Sequence, residues 1–459
     1  MRTNVKILLV ALLSVLFFQV SSASAQPIDD IRELVRDYYV DDIPESVLSK
    51  GSITDITNHL DPYSVYMTAK EYEQFINSIE QRIVGIGVVL EEDGKGVKVT
   101  SVIPKGPADQ AGIQAGDIIT KVDGKSVVGK AVQTAVTLIT GEENTMVTLT
   151  IERPASREVL TKQMKRQAIS LPNVEFAMLG GDIGYIRLNS FSTESAKEVN
   201  DAMISLAGAD GWILDLRDNG GGFITAAQEI TGFFPKAKNA FQLREKNEAP
   251  VVYKSESYLN QFQEPVHLLV NAYSASASEM VAAAVKEQKA ATLYGQTSYG
   301  KGTMQSMFSF TDGSVLKLTT ARFYSPGGQS IDKTGVKPNI VTKIGEELEQ
   351  SHRSHLLAKL KNYKQHPSLV NVPVTKTFTV EMNTSMDWKD IDASAVQLIE
   401  LGGVEQPVTI DVKNDQTITV IPKQPLLSGN KYMLLIHPLW KGKNQHAMKQ
   451  GIYLDVSVK

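Results

Sequence analysis

A change of period along the chain constrains its fold more than any other feature. From roughly residue 156 to 348, short apolar runs alternate with amphipathic helical patterns: "DIGYIRLNSF" then "ESAKEVNDAMISLAG", "GWILDL" then "FITAAQEITGFF", "HLLVNAY" then "ASEMVAAAVKEQ". That order predicts an α/β domain. On either side the period falls to two. Between residues 82 and 155, "GIGVVLEE", "GVKVTSVI", "DIITKVDG" and "MVTLTIER" read as strands separated by Gly and Pro turns, with one helical pattern at "KAVQTAVTLIT". Near the C-terminus, "KTFTVEM", "PVTIDVK", "TITVIP" and "YMLLIHP" give a second β region. Residues 26–81 hold helical patterns at "IDDIRELVRDYYV" and "TAKEYEQFINSIEQRI" around a turn at "HLDPYSVYM". They are too few for a core of their own and are expected to pack on segments C-terminal to them.

The 459 residues, 42% of them apolar, are enough for about three cores. The expectation is a multidomain α+β chain: a leader over 1–25, a helical segment over 26–81, a small β module over 82–155, the α/β domain over 156–365 and a β-sandwich over 366–459. The leader reads as a secretory signal, with Arg2 and Lys6 before an apolar core from Ile7 to Val20 and Ala23-Ser24-Ala25 as the cleavage site. This implies a secreted or extracytoplasmic chain beginning near Gln26. An uncleaved anchor is the alternative, although the run is shorter than the roughly 20 residues that span a bilayer. With no cysteine, neither disulfides, thiolate catalysis nor Cys-ligated metal is available. With 47 Lys+Arg against 51 Asp+Glu and no basic run, nucleic acid is not the expected partner.

Three stretches carry chemistry. In "NAYSASASEMVAAAVKEQ" the serines Ser274, Ser276 and Ser278 lie where a buried strand gives way to a helix, a junction that exposes side chains and aims free N–H groups at an anion. A serine there could equally be a helix cap. The usual base is absent: His59, His267, His352, His355, His366, His437 and His446 all fall outside site-like segments and read as surface or structural. The second stretch, "QTSYGKGTMQSMFSF", offers a lysine instead. Gly300 and Gly302 flank Lys301 and allow close backbone approach, and desolvation of a lysine lowers its pKa enough to make it a base. Gln305 lies four positions on, on the same face of the following strand, where its amide could hold a neutral amine without adding charge. The third, "GWILDLRDNGGGFITAAQEI", ends a strand in Asn219-Gly220-Gly221-Gly222 before a helix, which suits an oxyanion hole. No phosphate-loop or dinucleotide fingerprint accompanies it.

Together "DLRDNGGG", "SASASE" and "YGKGTMQ" resemble the signatures of the carboxyl-terminal processing peptidases, also called tail-specific proteases. "GPADQAGIQAGDIITKVDGKSV" resembles the middle of a PDZ domain, the runs "LDPYSVYM" and "LTTARFYSPGGQSIDKTGVKPNI" resemble further parts of the peptidase family, and the C-terminal region resembles a bacterial Ig-like domain. The resemblance implies a crotonase-like α/β peptidase domain with Ser276 as nucleophile, Lys301 as base and Gln305 as its partner. It further implies oxyanion donors at Ala277 and at Gly221 or Gly222, and a carboxylate loop at Gly85, Ile86 and Gly87 that binds protein or peptide tails. No metal or organic cofactor is implied. One departure is Thr140-Gly141, where members often carry Arg-Gly after the PDZ helix. A tail-binding scaffold with an inactive peptidase domain is the alternative reading, and for the Ig-like region a spacer, a cell-wall contact and a homodimer contact all stand open.

Overall fold

The computed structural model describes residues 27–388, 391 and 393–459. The expected leader, 1–25, lies outside them. The chain forms two compact units, one of residues 68–173 and one that joins the residues up to 67 with 174–459. Among the described residues no helix is long and apolar enough to cross a membrane.

The smaller unit is built on an antiparallel sheet with strands in the order Val88–Asp93, Gly96–Val102, Ile118–Val122, Met146–Arg153 and Glu158–Lys165. Alternate residues Val147, Leu149 and Ile151 point inward with Val97, Val99, Ile119 and Val122 to form its core, as a half-buried sheet requires. Among the described residues Val88–Asp93 pairs with a strand on one side only, so its other edge is unpaired. A second ladder pairs Arg82–Gly85 with Gln167–Ser170, and helix Ala69–Ile79, capped reciprocally by Thr68 and Glu71, belongs to the same unit.

The larger unit has a six-stranded sheet in the order Val174–Leu179, Ile183–Leu188, Gly211–Asp215, Val266–Val270, Thr292–Gly295 and Ile340–Val341. All its pairings are parallel except the first. Every residue of Gly211–Asp215 and Val266–Val270 is buried, because both faces of the sheet are covered. Trp212, Leu214, Leu268 and Val270 pack with the helices Ser195–Ser205, Ile224–Gly232 and Ala277–Glu287, while Ile213 and Leu269 face the other way, towards Leu348. A second sheet pairs Thr303–Ser309 with the long strand Val315–Tyr324, which also takes Val65–Met67 and Asn239–Glu245 as neighbours.

The helices Ile28–Tyr38, Glu45–Leu48 and Ile53–Thr57 bury Ile31, Val35, Leu48 and Ile56 against Leu316 and Leu318. Their packing partner is therefore hundreds of residues away in the chain, a contact that local periodicity does not specify. At the other end, helix Glu347–Lys359 leads into a six-stranded and a three-stranded sheet whose core holds Phe378, Leu398, Val420, Tyr432, Leu434 and Trp440. Leu356 and Leu360 pack on Ile399 and Met433, and Arg353 clasps Asp455 with two bonds of 2.9 and 2.8 Å.

Candidate active site

The three serines at the end of strand Val266–Val270 play different parts. Ser274 is fully buried and its hydroxyl donates to Leu216 O at 2.8 Å. Ser278, also fully buried, donates to Asn219 O at 2.8 Å. Both fasten the serine turn to the glycine loop at the end of strand Gly211–Asp215. Ser276 between them is half-buried and holds φ 56°, ψ −113°, a conformation that L-residues rarely adopt. Such strain persists only when its surroundings enforce it, and a sharp strand-to-helix turn of this kind thrusts the side chain out of the backbone. Helix Ala277–Glu287 starts immediately after.

The glycine loop reaches Ser276 because it lacks side chains. A Cβ on Gly221, whose φ is +105°, would lie 2.9 Å from Ser276 Cβ and 3.0 Å from Ala277 N. Gly221 N–H donates to Asn219 Oδ1 at 2.8 Å. The bridge between Phe191 and Gly222 uses the N–H groups of Phe191 and Phe223, so Gly222's own N–H takes no part in it. Of the two expected glycine donors, Gly221 is thus already engaged.

Lys301 sits in a loop whose flanking glycines are there for packing. A Cβ on Gly302 would come within 2.6 Å of Asp332, and one on Gly300 within 3.2 Å of Lys333. The Lys301 ammonium lies 4.7 Å from the centre of the Tyr63 ring. Burial and the nearby Lys317 bring its pKa down to about 8, against the opposing pull of Asp61 and Glu279. Gln305, two residues into the next strand, donates its amide to Thr303 Oγ1 at 3.1 Å and Thr319 Oγ1 at 3.2 Å. Thr319 in turn donates to Asp61 Oδ1 at 3.0 Å, and Ser64 donates to Asp61 Oδ2 at 2.6 Å.

Sequence reasoning missed the wall supplied by "LDPYS", which brings Asp61 and Tyr63 to the lysine with Ser64 holding Asp61, and it missed Glu279. The buried Glu279 carboxylate accepts from Ser276 N and Lys301 N, both at 2.9 Å, and so ties the serine turn to the lysine loop. The Ser276-x-x-Glu279 spacing, a capping-box pattern, was the available signal. The histidines lie elsewhere: His267 and His355 stack with ring centres 3.7 Å apart, and His352 donates Nε2–H to Gly180 O while its Nδ1 accepts from Gly402 N. Burial lowers His267 to about 4 and His355 to about 3.

The model of peptidase family S41 matches residues 182–342, which contain the serine, lysine and glycine loops, and a PDZ domain model matches 98–153. The carboxy-terminal processing protease CtpA of Bacillus subtilis (strain 168) is 36% identical over 365 residues, 77% of this chain and 77% of that protein. The chain belongs to peptidase family S41. A probable CtpA-like serine protease of Staphylococcus aureus (strain bovine RF122 / ET3-1) is 32% identical over 386 residues, 83% of this chain and 72% of the relative. A solved photosystem II D1 C-terminal processing protease aligns at 26% identity over 69% of this chain and 92% of its own, with a TM-score of 0.45. This S41 protein is a serine-type peptidase with a PDZ domain, and its substrates are proteins or peptides.

In the PDZ unit of this S41 peptidase, Gly87 has φ +79° and Ile86 is buried, immediately before the strand Val88–Asp93. Thr140 caps helix Val132–Ile139, its hydroxyl on Val136 O at 2.9 Å. Arg166, which sequence reasoning passed over, binds the carbonyls of Ile139 and Leu138 at 2.7 and 2.9 Å, satisfying the end of that helix. A Cβ on Gly141 would come within 2.9 Å of the Arg166 guanidinium, so the glycine makes room for it.

Proposed function

We propose that this S41 peptidase is an extracytoplasmic serine–lysine endopeptidase that selects protein substrates by their C-terminal tails. The observation that carries the reading is the pairing of a strained, half-buried serine with a lysine whose pKa is brought down to about 8. Neutral Lys301 takes the proton of the Ser276 hydroxyl, and Oγ bonds to the scissile carbonyl carbon. The oxyanion is met by Ala277 N–H at the helix start and by Gly222 N–H, or by Gly221 N–H once it leaves Asn219. Lys301 then gives the proton to the leaving amine, and water, deprotonated by the same lysine, releases the acyl group. Gln305 Oε1 is the acceptor for Lys301 Nζ, its amide nitrogen being held by two threonines.

In this reading a substrate tail adds a strand to the edge of Val88–Asp93, with its carboxylate at Gly85, Ile86 and Gly87. The leader over 1–25 is removed on export. The two-sheet C-terminal region is an Ig-like module that serves as a spacer, a cell-wall contact or a homodimer contact. The test is mass spectrometry of an unfolded protein with an apolar C-terminus, incubated with the wild type and with Ser276→Ala, and again with the tail amidated. Cleavage lost in Ser276→Ala supports the nucleophile, and loss on amidation supports carboxylate reading. Equal cleavage by Ser276→Ala would sink the assignment.

A further inference from the structure

Glu279 does more than a helix cap needs. It lies in the first turn of helix Ala277–Glu287 with no exposed surface, and each of its oxygens accepts two hydrogen bonds. Oε1 takes Ser298 Oγ–H and Gly300 N–H, both at 2.6 Å. Oε2 takes Ser276 N–H and Lys301 N–H, both at 2.9 Å. Ser298 Oγ also accepts from Val336 N–H at 2.7 Å. Burial pushes the Glu279 carboxyl above its ordinary value, and the four hydrogen bonds, three of them from backbone N–H groups, pull against that in favour of the ionised form. One bond caps the helix; the other three run to the loop that carries the lysine.

We propose that Glu279 is the positioning residue of this site, its ionised carboxylate locking the Ser276 turn and the Lys301 loop into one rigid body. The proposal rests on the serine–lysine reading and adds to it the part that holds nucleophile and base in reach of each other. The backbone joins turn and loop at Tyr299 N–H to Ser274 O, 3.0 Å, two residues short of each reacting side chain, and the carboxylate fixes residues 276 and 301 themselves; a displacement of about 1 Å there costs about 10²-fold in rate. The carboxylate also acts on the lysine through space. Lys301 is faced by Lys317 from strand Val315–Tyr324, by Asp61 and Tyr63 from the "LDPYS" loop and by Glu279 from the serine helix. Of these, Glu279 and Asp61 favour the ammonium and Lys317 opposes it.

Glu279→Gln keeps the size of the side chain but turns one acceptor into a donor that faces two N–H or O–H donors. The full chain carrying it is expected to lose about 10²-fold in kcat with KM within about twofold. The rising limb of its pH–rate profile is expected to move to lower pH, because a negative neighbour of Lys301 has gone. A loosened, wetter site would move the limb the other way. Glu279→Asp, charged but too short for all four bonds, is expected to lose rate with its limb unmoved. Circular dichroism and thermal unfolding establish the folded state of each variant. Where Glu279→Gln does not fold, Ser298→Ala decides, since it removes one of the carboxylate's four bonds, together with the Val336 N–H bond to the same hydroxyl, and no charge, and the expected loss is about tenfold in kcat at unchanged KM. Wild-type kcat in whichever variant decides, or a limb that stays put or rises in Glu279→Gln, overturns the proposal. Lys301→Met in the same assay separates the two readings. An inactive Lys301→Met beside a fully active Glu279→Gln sinks the positioning role alone, whereas an active Lys301→Met sinks the serine–lysine reading and this inference with it.

Discussion

Two places in the larger unit bury basic side chains, and the same force has opposite consequences in them. At the lysine loop, burial takes Lys301 from the ordinary lysine value of 10.5 to about 8, into the range where an enzyme works. Beneath helix Glu347–Lys359, burial takes His267 from 6.5 to about 4 and His355 to about 3, out of that range. The residue usually chosen as a base is held neutral down to about pH 4, His267 bonded to Ser351 and His355 to the Trp212 carbonyl, and the residue usually dismissed as a surface cation becomes able to accept a proton. Residue type alone is therefore a poor guide to the base; the surroundings decide.

The comparison can be broken most directly at Lys301. Lys301→Ala is expected to lower kcat by about 10³–10⁴-fold, measured on an unfolded protein substrate, while His267→Asn leaves kcat within a few-fold. In the wild type, kcat/KM is expected to rise about tenfold per pH unit as pH approaches about 8 from below, and then level off, because the base acts only when neutral. A plateau already reached at pH 6 would count against the lysine.

Next in size is the close approach that places the glycine loop. Gly221→Ala puts a methyl group 2.9 Å from Ser276 Cβ at a φ of +105°, and a loss of about 10²-fold in kcat is expected, together with a lower melting temperature. The histidine side is sharpened by acid. Because His267 and His355 have folded-state values below the 6.5 of an exposed histidine, the unfolded chain binds more protons as pH falls below about 6.5. Their contribution to stability is complete above that pH and is lost below it, towards about 4 and about 3. Urea unfolding is expected to show a slope of up to about 1.4 kcal/mol per pH unit for each histidine. Mutation of both to Asn, folded as the wild type, should flatten it. The smallest effect is expected from Lys317→Met, which removes a positive neighbour of Lys301 and so raises its pKa. The pH–rate limb should move to higher pH by a fraction of a unit, with a few-fold loss at pH 7.

The motifs of the candidate site were legible because each is local. The serine turn, the glycine loop and the flanked lysine each sit at a strand end, and strand ends are where period, glycine and capping residues mark the chain. The alternation of strands and helices over 183–295 was legible for the same reason. The missing pieces join segments far apart. Asp61 meets Thr319, Glu279 meets Lys301, and Arg166 meets the carbonyls of Leu138 and Ile139, none of which a window of a dozen residues contains. Gln305 shows the limit of face arguments: its position on the lysine's strand face was inferred, but its amide nitrogen is claimed by Thr303 and Thr319.

The docking of the first forty described residues onto Leu316 and Leu318 has a temporal consequence. Asp61, Tyr63 and Ser64 can close around Lys301 only after the strand Val315–Tyr324 has been made and has paired with Val65–Met67. Contacts of such long sequence separation form late and slowly. In the serine–lysine reading, the surroundings that bring the lysine's pKa down are therefore completed only by contacts of long sequence range, and a chain lacking them carries its serine without a neutral lysine. On that reading the nascent polypeptide stays inert until strand Val315–Tyr324 is in place.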